Sequence, residues 1–210
     1  QGRMGEVYAE LAGEDPSVAL GINEHYRPRF AGDKSPSTLA GTIVSLAEKL
    51  DTIVTCFAIG LIPTGSQDPY ALRRQAAGVV QMVNDHQLDV SLEQLIEMSL
   101  EVAEARKLFK REVEEIKTDL IEFFKLRVKT LLQDQGIQYD VIDAVLTDQI
   151  GHIPTLISKA VIISEMRQHS AFKKVVEALS RVTNIAKKAH DHGVINVELF
   201  EKEEESQLYS

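Results

Sequence analysis

The sequence predicts an all-α fold, and three observations carry that prediction. Capping side chains stand directly before prolines at Asp15-Pro16, Ser35-Pro36 and Asp68-Pro69. Proline at a first helical position lacks only an N–H that has no partner there, and its φ is already helical. Leu39, Ile43, Leu46, Leu50, Ile53, Val54 and Phe57 recur at intervals of three and four, which makes one apolar helix face about five turns long. Strand signals are missing: the nearest alternating run, 193–197, is too short to carry a sheet.

In chain order, Asp15 starts one helix and Ser35 a second, the long apolar-faced one. Within it Glu48 and Lys49 are expected on the solvent side. Asp51 follows the apolar Leu50, so it is expected at the edge of the buried face, held by a partner cation. Asp68 starts the next helix, where Arg73 and Arg74 point about 100° apart and cannot both face the core. Ser91-Leu92-Glu93-Gln94 is a capping-box pattern. Residues 92–132 are richer in charge and fit a helix pair broken near Phe109 or Lys110, with an apolar set that includes Leu95, Ile96, Val102, Ile116, Leu120 and Phe124. Gln135-Gly136 closes that pair, and 139–146 form a short helix. A break at 151–154 precedes a helix from Ile157 to Met166. Residues 172–189 are amphipathic through Val175, Val176, Leu179, Val182 and Ile185, and the glutamate-rich tail after Glu198 is expected to fray.

Composition sets the outer limits. The 210 residues carry 12 glycines and 6 prolines, below the usual combined share of about 12%, which argues against a loop-rich or disordered chain. With 23 Lys+Arg against 32 Asp+Glu the formal charge is −9, which excludes a general basic coat for nucleic acid but leaves room for a local basic stripe. Cys56 is the single cysteine, so a disulfide framework or Cys-rich zinc site is ruled out and a reducing compartment fits. The uncharged stretch 52–67 is sixteen residues long and broken by Gly60 and Pro63, too short for the roughly 20 apolar residues of a membrane span. The chain begins at Gln1 rather than Met and reads as an excised internal fragment.

A search for catalytic patterns finds none. The six histidines form no His-Glu-x-x-His pair, and His190-Asp191-His192 lacks the converging third or fourth ligand that a metal centre requires. There is no Gly-x-Ser-x-Gly elbow and no phosphate-cradling glycine loop. The densest polar region is 24–33, where Arg27, Arg29, His25 and Asp33 crowd a helix end. Cations there serve the helix dipole, or with Tyr26 and Phe30 they clamp a phosphate and stack on a base.

The run Pro63-Thr64-Gly65-Ser66-x-Asp68-Pro69-x-Ala71-Leu72-Arg73-Arg74 follows Ala47-Glu48-Lys49-Leu50-Asp51-Thr52 and Tyr26-x-Pro28-Arg29-Phe30-Ala31-Gly32-Asp33. Together with Phe124-Lys125-x-Arg127, the stretch Tyr139-Asp140-Val141-Ile142-Asp143-Ala144-Val145 and Arg181-Val182-x-Asn184-Ile185, it closely resembles the β subunit of bacterial heterotetrameric glycyl-tRNA synthetase. The resemblance runs in order over essentially the whole chain. It implies an HD-like helical domain over 1–88 that is incomplete at its N-terminus, a helical connector over 89–150, and the start of a DALR-type anticodon-binding helical domain over 151–210. It also implies cytoplasmic location, tRNA(Gly) and the synthetase α subunit as partners, and neither membrane nor DNA as one. The α subunit of that family activates glycine with ATP, so ATP and Mg belong there and no cofactor or catalytic residue is expected in this chain.

HD-superfamily hydrolases hold a divalent metal with a His, a His-Asp doublet and a later Asp. Only Asp51 matches, at the last position, so no metal site is expected. The candidate tRNA contacts are Arg27, Arg29, Arg73, Arg74, Lys125, Arg127, Lys174, Arg181, Lys187 and Lys188. Residues 174, 181 and 188 are seven apart, two helical turns, and share a face. Such a stripe taken alone reads as a solvated surface. The resemblance makes it a basic groove for single-stranded loop bases, with Phe172 and Tyr139 as stackers or core residues. The competing readings are a metal-dependent HD-type phosphohydrolase and a helical subunit-contact scaffold without RNA contact.

Overall fold

The computed structural model describes residues 2–147, 149–187 and 197–209. Among them every regular element is helical, apart from one isolated bridge between Thr64 and Gln67. The chain divides into two compact units, 1–165 and 166–210.

The first unit opens with α1 (Gly2–Leu11) and α2 (Pro16–Glu24). Their close approach depends on glycine: a Cβ at Gly5 would lie 2.6 Å from Ile22 Cγ2. Asp15 caps α2 as expected, its side chain accepting from the Ser17 N–H. Helix α3 (Leu39–Ala58) is the central element and packs on α2, α4 (Leu72–Asp85), α5 (Leu92–Ala105) and α6 (Val113–Asp134). Leu46, Leu50, Ile53, Val54 and Phe57 are buried on it, and Phe57 meets the Phe123 ring of α6 at 5.0 Å between centroids. Leu39 and Ile43, at the start of the same stripe, are exposed. Helices α7 (Tyr139–Val145) and α8 (Ile153–Met166) follow. Ser91 and Gln94 form the expected capping box on α5. Glu93 next to it accepts the N–H groups of Ile150 and Gly151, which fixes the segment leading into α8.

Two of the proline-marked starts move. Helix α3 begins three residues beyond Pro36, with Thr38 as its cap. Ser35 is used elsewhere: its hydroxyl donates to Asp85 on α4 at 2.7 Å. Helix α4 begins at Leu72, and Ala71, in the left-handed region at φ 54°, is the residue before it. Asp68 still caps this helix, but from a distance, accepting the N–H groups of Leu72 and Arg73 at 2.7 and 3.0 Å. The break in the charged region falls over 106–112 and is tied back to α3 by Lys110 N–H donating to the Ala58 carbonyl. Val102, expected on the buried side of α5, is half exposed.

The α2–α3 loop is positioned by buried polar groups. Glu24 ends α2 and is 1% exposed. Its carboxylate accepts the N–H groups of Ser37 and Thr38 at 2.9 and 3.3 Å, the Thr38 hydroxyl, and Arg27 Nη1 at 3.2 Å. Burial alone pushes this carboxyl up. The bonds from Ser37 and Thr38, with the Arg27 charge, outweigh burial and hold it below its ordinary 4.5. On the far side of the loop, Gln81 of α4 donates to the Asp33 carbonyl at 2.8 Å, and His86 lies within hydrogen-bond reach of both the Pro36 carbonyl and Thr42.

In the second unit, α9 (Ser170–Ala186) is present as the periodicity predicts. Its apolar residues Val175, Val176, Leu179, Val182 and Ile185 are nevertheless exposed. The unit's other elements among the described residues are a 3₁₀ turn, Val197–Leu199, and α10 (Glu203–Tyr209). The tail expected to fray is helical there: Glu205 accepts the N–H groups of Glu201 and Lys202, and Tyr209 packs on Phe200 at 5.7 Å. No helix among the described residues is long and apolar enough to cross a membrane.

Because its carboxyl is depressed in the folded state, Glu24 contributes stability that is complete above its ordinary value and is lost as pH falls through the folded one. Glu24→Gln is expected to lower stability at pH 7 by about 1–3 kcal/mol. The gap between parent and variant should close as pH falls below 4.5. Denaturant titration at pH 7, 4.5 and 3 measures both effects.

Candidate functional site

The candidate residues on α4 diverge as their spacing requires. Arg74 faces a cleft of about 270 Å³, lined also by Tyr26, Pro28, Arg29, Glu48 and Lys49. Two of these residues pack closely on α4 at Gly78, where a Cβ would stand 3.0 Å from Pro28 Cγ and 3.4 Å from Lys49 Cε. Lys49, expected in solvent, is 4% exposed. Its ammonium donates to Ser45 Oγ at 2.8 Å and to the His25 carbonyl at 3.2 Å, and Ser45 in turn donates to the Arg27 carbonyl at 2.6 Å. The nearest carboxylate oxygen in an ion pair, from Glu48, is 3.9 Å away. Burial lowers the Lys49 pKa; Glu48 opposes that shift, and Arg74 adds to it by like-charge repulsion.

Arg73 belongs to a different neighbourhood. It lies close enough to Arg127 of α6 that its charge, after burial, lowers the Arg127 pKa, while Asp68 raises it. The Arg127 guanidinium stacks over the Phe123 ring at 5.0 Å. Asp68, the carboxylate that favours the Arg127 charge, has both its oxygens engaged in capping α4.

The remaining candidates are neutralised locally or stand apart. Arg27 is bound to Glu24, and Lys125 and Lys129 pair with Glu122 and Asp143 at 2.9 and 3.2 Å. Arg29 donates through Nε to Asp33 Oδ2 at 2.9 Å, and its backbone N–H reaches the same oxygen. The Arg29 bond is the main reason that Asp33 is held down at about 2. Lys174, Arg181 and Lys187 are exposed in the second unit; Lys188 and the His190-Asp191-His192 tract lie outside the described residues. Tyr139 is exposed rather than in the core, and Phe172 is half-buried. Asp51 has the partner cation expected for it, Arg106 of the α5–α6 link at 2.8 Å. No group of three His, Cys, Asp or Glu side chains placed to hold a metal ion occurs among the described residues.

Sequence reasoning missed Lys49 and the Phe123 platform. The signal for Lys49 was present: it stands three residues after Leu46 and four before Ile53, on the apolar stripe itself.

The sequence model of the family described as "Glycyl-tRNA synthetase beta subunit" matches residues 1–147. The chain belongs to this family. The glycine--tRNA ligase beta subunit of Halalkalibacterium halodurans is 58% identical over 209 residues, covering 100% of this chain and 30% of that protein. Those of Shouchella clausii and Bacillus subtilis are 48% and 43% identical, over 99% and 100% of the chain and 30% and 29% of their own lengths. The chain thus spans about 30% of the length of the curated relatives that it matches. For this member of the family, the run 63–74 is now physical: a tight turn closed by Thr64 and Gln67, the remote cap Asp68, and two arginines sent to opposite neighbourhoods.

With Asp33 depressed, its stabilising bond is complete above 3.8 and lost as pH falls toward about 2. Following the Asp33 carboxyl by NMR should give a midpoint of about 2 in the parent chain and one moved back toward 3.8 in Arg29→Gln. An unmoved midpoint would assign the depression to the loop amides alone.

Proposed function

We propose that this chain is a tRNA-contacting part of a glycine–tRNA ligase β subunit, supporting ATP-dependent attachment of glycine to tRNA(Gly) by the α subunit. ATP and Mg act at the α subunit, the chain itself carries no catalytic residue, and the complex works in the cytoplasm. In this reading residues 1–88 are an HD-like domain, 89–150 a connector, and 151–210 the start of a DALR-type anticodon-binding domain.

The observation that carries the proposal is the Arg127 guanidinium held over the Phe123 ring at 5.0 Å, with the Arg73 charge adding to the burial that disfavours it. Like charges repel, and Asp68, which favours the Arg127 charge, is already occupied in capping a helix. Such an arrangement gains most from a polyanion arriving from outside. The Phe123 face holds the Arg127 plane, and a stacked guanidinium is a good platform for an unpaired base. In the second unit, Lys174 and Arg181 of α9 and Lys187 at its C-cap are exposed cations of their own, and Lys188 is included from its spacing alone. Asp51 is engaged by Arg106, which supports a structural role over a metal-ligand role for it. The scaffold reading draws on the exposed apolar face of α9, which suits contact with another protein surface.

Binding of tRNA(Gly) to the chain at low salt is expected to be weak and to fall steeply with added salt. Arg73→Gln with Arg127→Gln should reduce affinity about tenfold or more and lower the salt slope, as should joint replacement of Arg181, Lys187 and Lys188 by Ala. No detectable binding at low salt, with co-purification of the α subunit retained, would replace this reading by the scaffold one.

A further inference from the structure

The cleft between the α2–α3 loop, α3 and α4 brings together three cations, of which Arg29 is paired with Asp33, Lys49 is loosely paired with Glu48, and Arg74 is unpaired among the described residues. Lys49 is buried, yet its hydrogen-bond partners are a carbonyl and a hydroxyl, and the Glu48 carboxylate at 3.9 Å is half exposed. Arg74 makes no ion pair among the described residues, and its charge disfavours the Lys49 ammonium. Arg29 spends its Nε on Asp33; its two terminal nitrogens carry no hydrogen bond among the described residues. Lys49 is the buried member and the two arginines reach solvent; a buried cation is ordinarily paired with an acid, because an uncompensated charge away from water is costly. The cleft volume of about 270 Å³ is just below the range of drug-sized pockets, about 300–1,000 Å³, and suits one small anion with the atoms next to it.

We infer that this cleft is a phosphate-binding site, with Lys49 and Arg74 as its cationic wall and Arg29 as a third donor. A tetrahedral oxyanion presents several acceptors to guanidinium and ammonium donors at once, and it supplies counter-charge to Arg74 and a closer one to Lys49 than Glu48 at 3.9 Å. Glu48 limits affinity, since it competes for Lys49 and repels an incoming anion. The bond from Lys49 to the His25 carbonyl is itself structural, holding the end of α2, so Arg74 is the residue whose removal isolates binding from folding. The site deepens the RNA reading and rests on it only for the source of the phosphate, a backbone phosphodiester. A free phosphate monoester has the same chemistry.

The test uses the ¹⁵N-labelled 210-residue chain, titrated with inorganic phosphate and, separately, with the dinucleotide ApA, each against sodium chloride of equal ionic strength. Saturable shifts of the Arg74 and Arg29 side-chain resonances and of the amides of 26–29 are expected. Arg74→Gln should weaken binding at least about tenfold, the loss of one charge-assisted hydrogen bond. Arg106→Gln, which alters only the pair with Asp51, should change it less than about twofold. Shifts that match chloride, or that survive Arg74→Gln in a chain of unchanged melting temperature, overturn the site. ApA binding at least as tightly as inorganic phosphate identifies a backbone phosphodiester, and the reverse order identifies a monoester. Measuring tRNA binding on the same samples separates the two proposals. Phosphate binding without tRNA binding leaves the site and removes the RNA reading; tRNA binding with no cleft shifts does the opposite.

Discussion

Two buried charges that do not pair with each other determine the architecture around the cleft. Glu24 at the end of α2 and Lys49 on α3 are both below a tenth exposed, and each makes at least one hydrogen bond with the backbone of the loop between them, with Thr38, Arg27 and Ser45 side chains completing the sets. A buried charge with polar partners is stable only while those partners hold their positions, because losing one costs far more than the bond contributes. The loop conformation is therefore set by electrostatics. Ser37 and Thr38 are drawn to the carboxylate, which also places them at the start of α3, where a negative charge favours the helix dipole. The His25 carbonyl is drawn to the ammonium, with Ser45 holding Arg27 beside it. Pro28 is thereby laid against the backbone of α4 at Gly78, where a side chain would leave no room.

That constraint makes α4 the divider between two basic neighbourhoods. Its first residues are Leu72, buried, and then the two arginines, which follow at successive 100° steps. Arg74 turns to the loop side and Arg73 to α6. The cap that starts this geometry is unusual: Ala71 sits in a left-handed conformation that alanine avoids by roughly 1–2 kcal/mol. Asp68 offsets the strain by bonding two N–H groups past it. Strain held in place by a remote cap directly before two functional candidates fits a segment whose direction matters more than its local stability.

Local signals were legible in the sequence, and signals that depend on a distant partner were not. Asp15 and the Ser91 box cap their own helices because everything they need lies within three residues. Ser35-Pro36 carries the same signature and fails, because Asp85 takes the Ser35 hydroxyl and Glu24 takes the next free amides, so the helix waits for Thr38. Asp68-Pro69 has the right cap and the wrong distance. Asp51 was placed at the edge of the core with a cation, and Arg106, 55 residues later, is that cation. Lys49 was misplaced because its charge was weighed above its position; the periodicity that buried Leu46 and Ile53 buries it as well. The periodicity of α9 correctly gave a helix, but whether an apolar face is covered depends on what is packed against it, which no single segment encodes.

The same distinction refines the meaning of a net charge of −9. Lys125, Arg127 and Lys129 alternate along α6, but Lys125 and Lys129 are 400° apart in helical phase, nearly one side, and each has a carboxylate partner there. Arg127, halfway between, turns the other way, onto Phe123 and toward Arg73. Exposed pairs such as Lys125–Glu122 contribute little and exchange readily for another anion, but the exchange gains little too. An uncompensated guanidinium gains the full attraction. The useful quantity for an acidic chain is thus which cations form no ion pair, and among the described residues of the first unit that criterion separates Arg73, Arg74 and Arg127 from the paired lysines of α6.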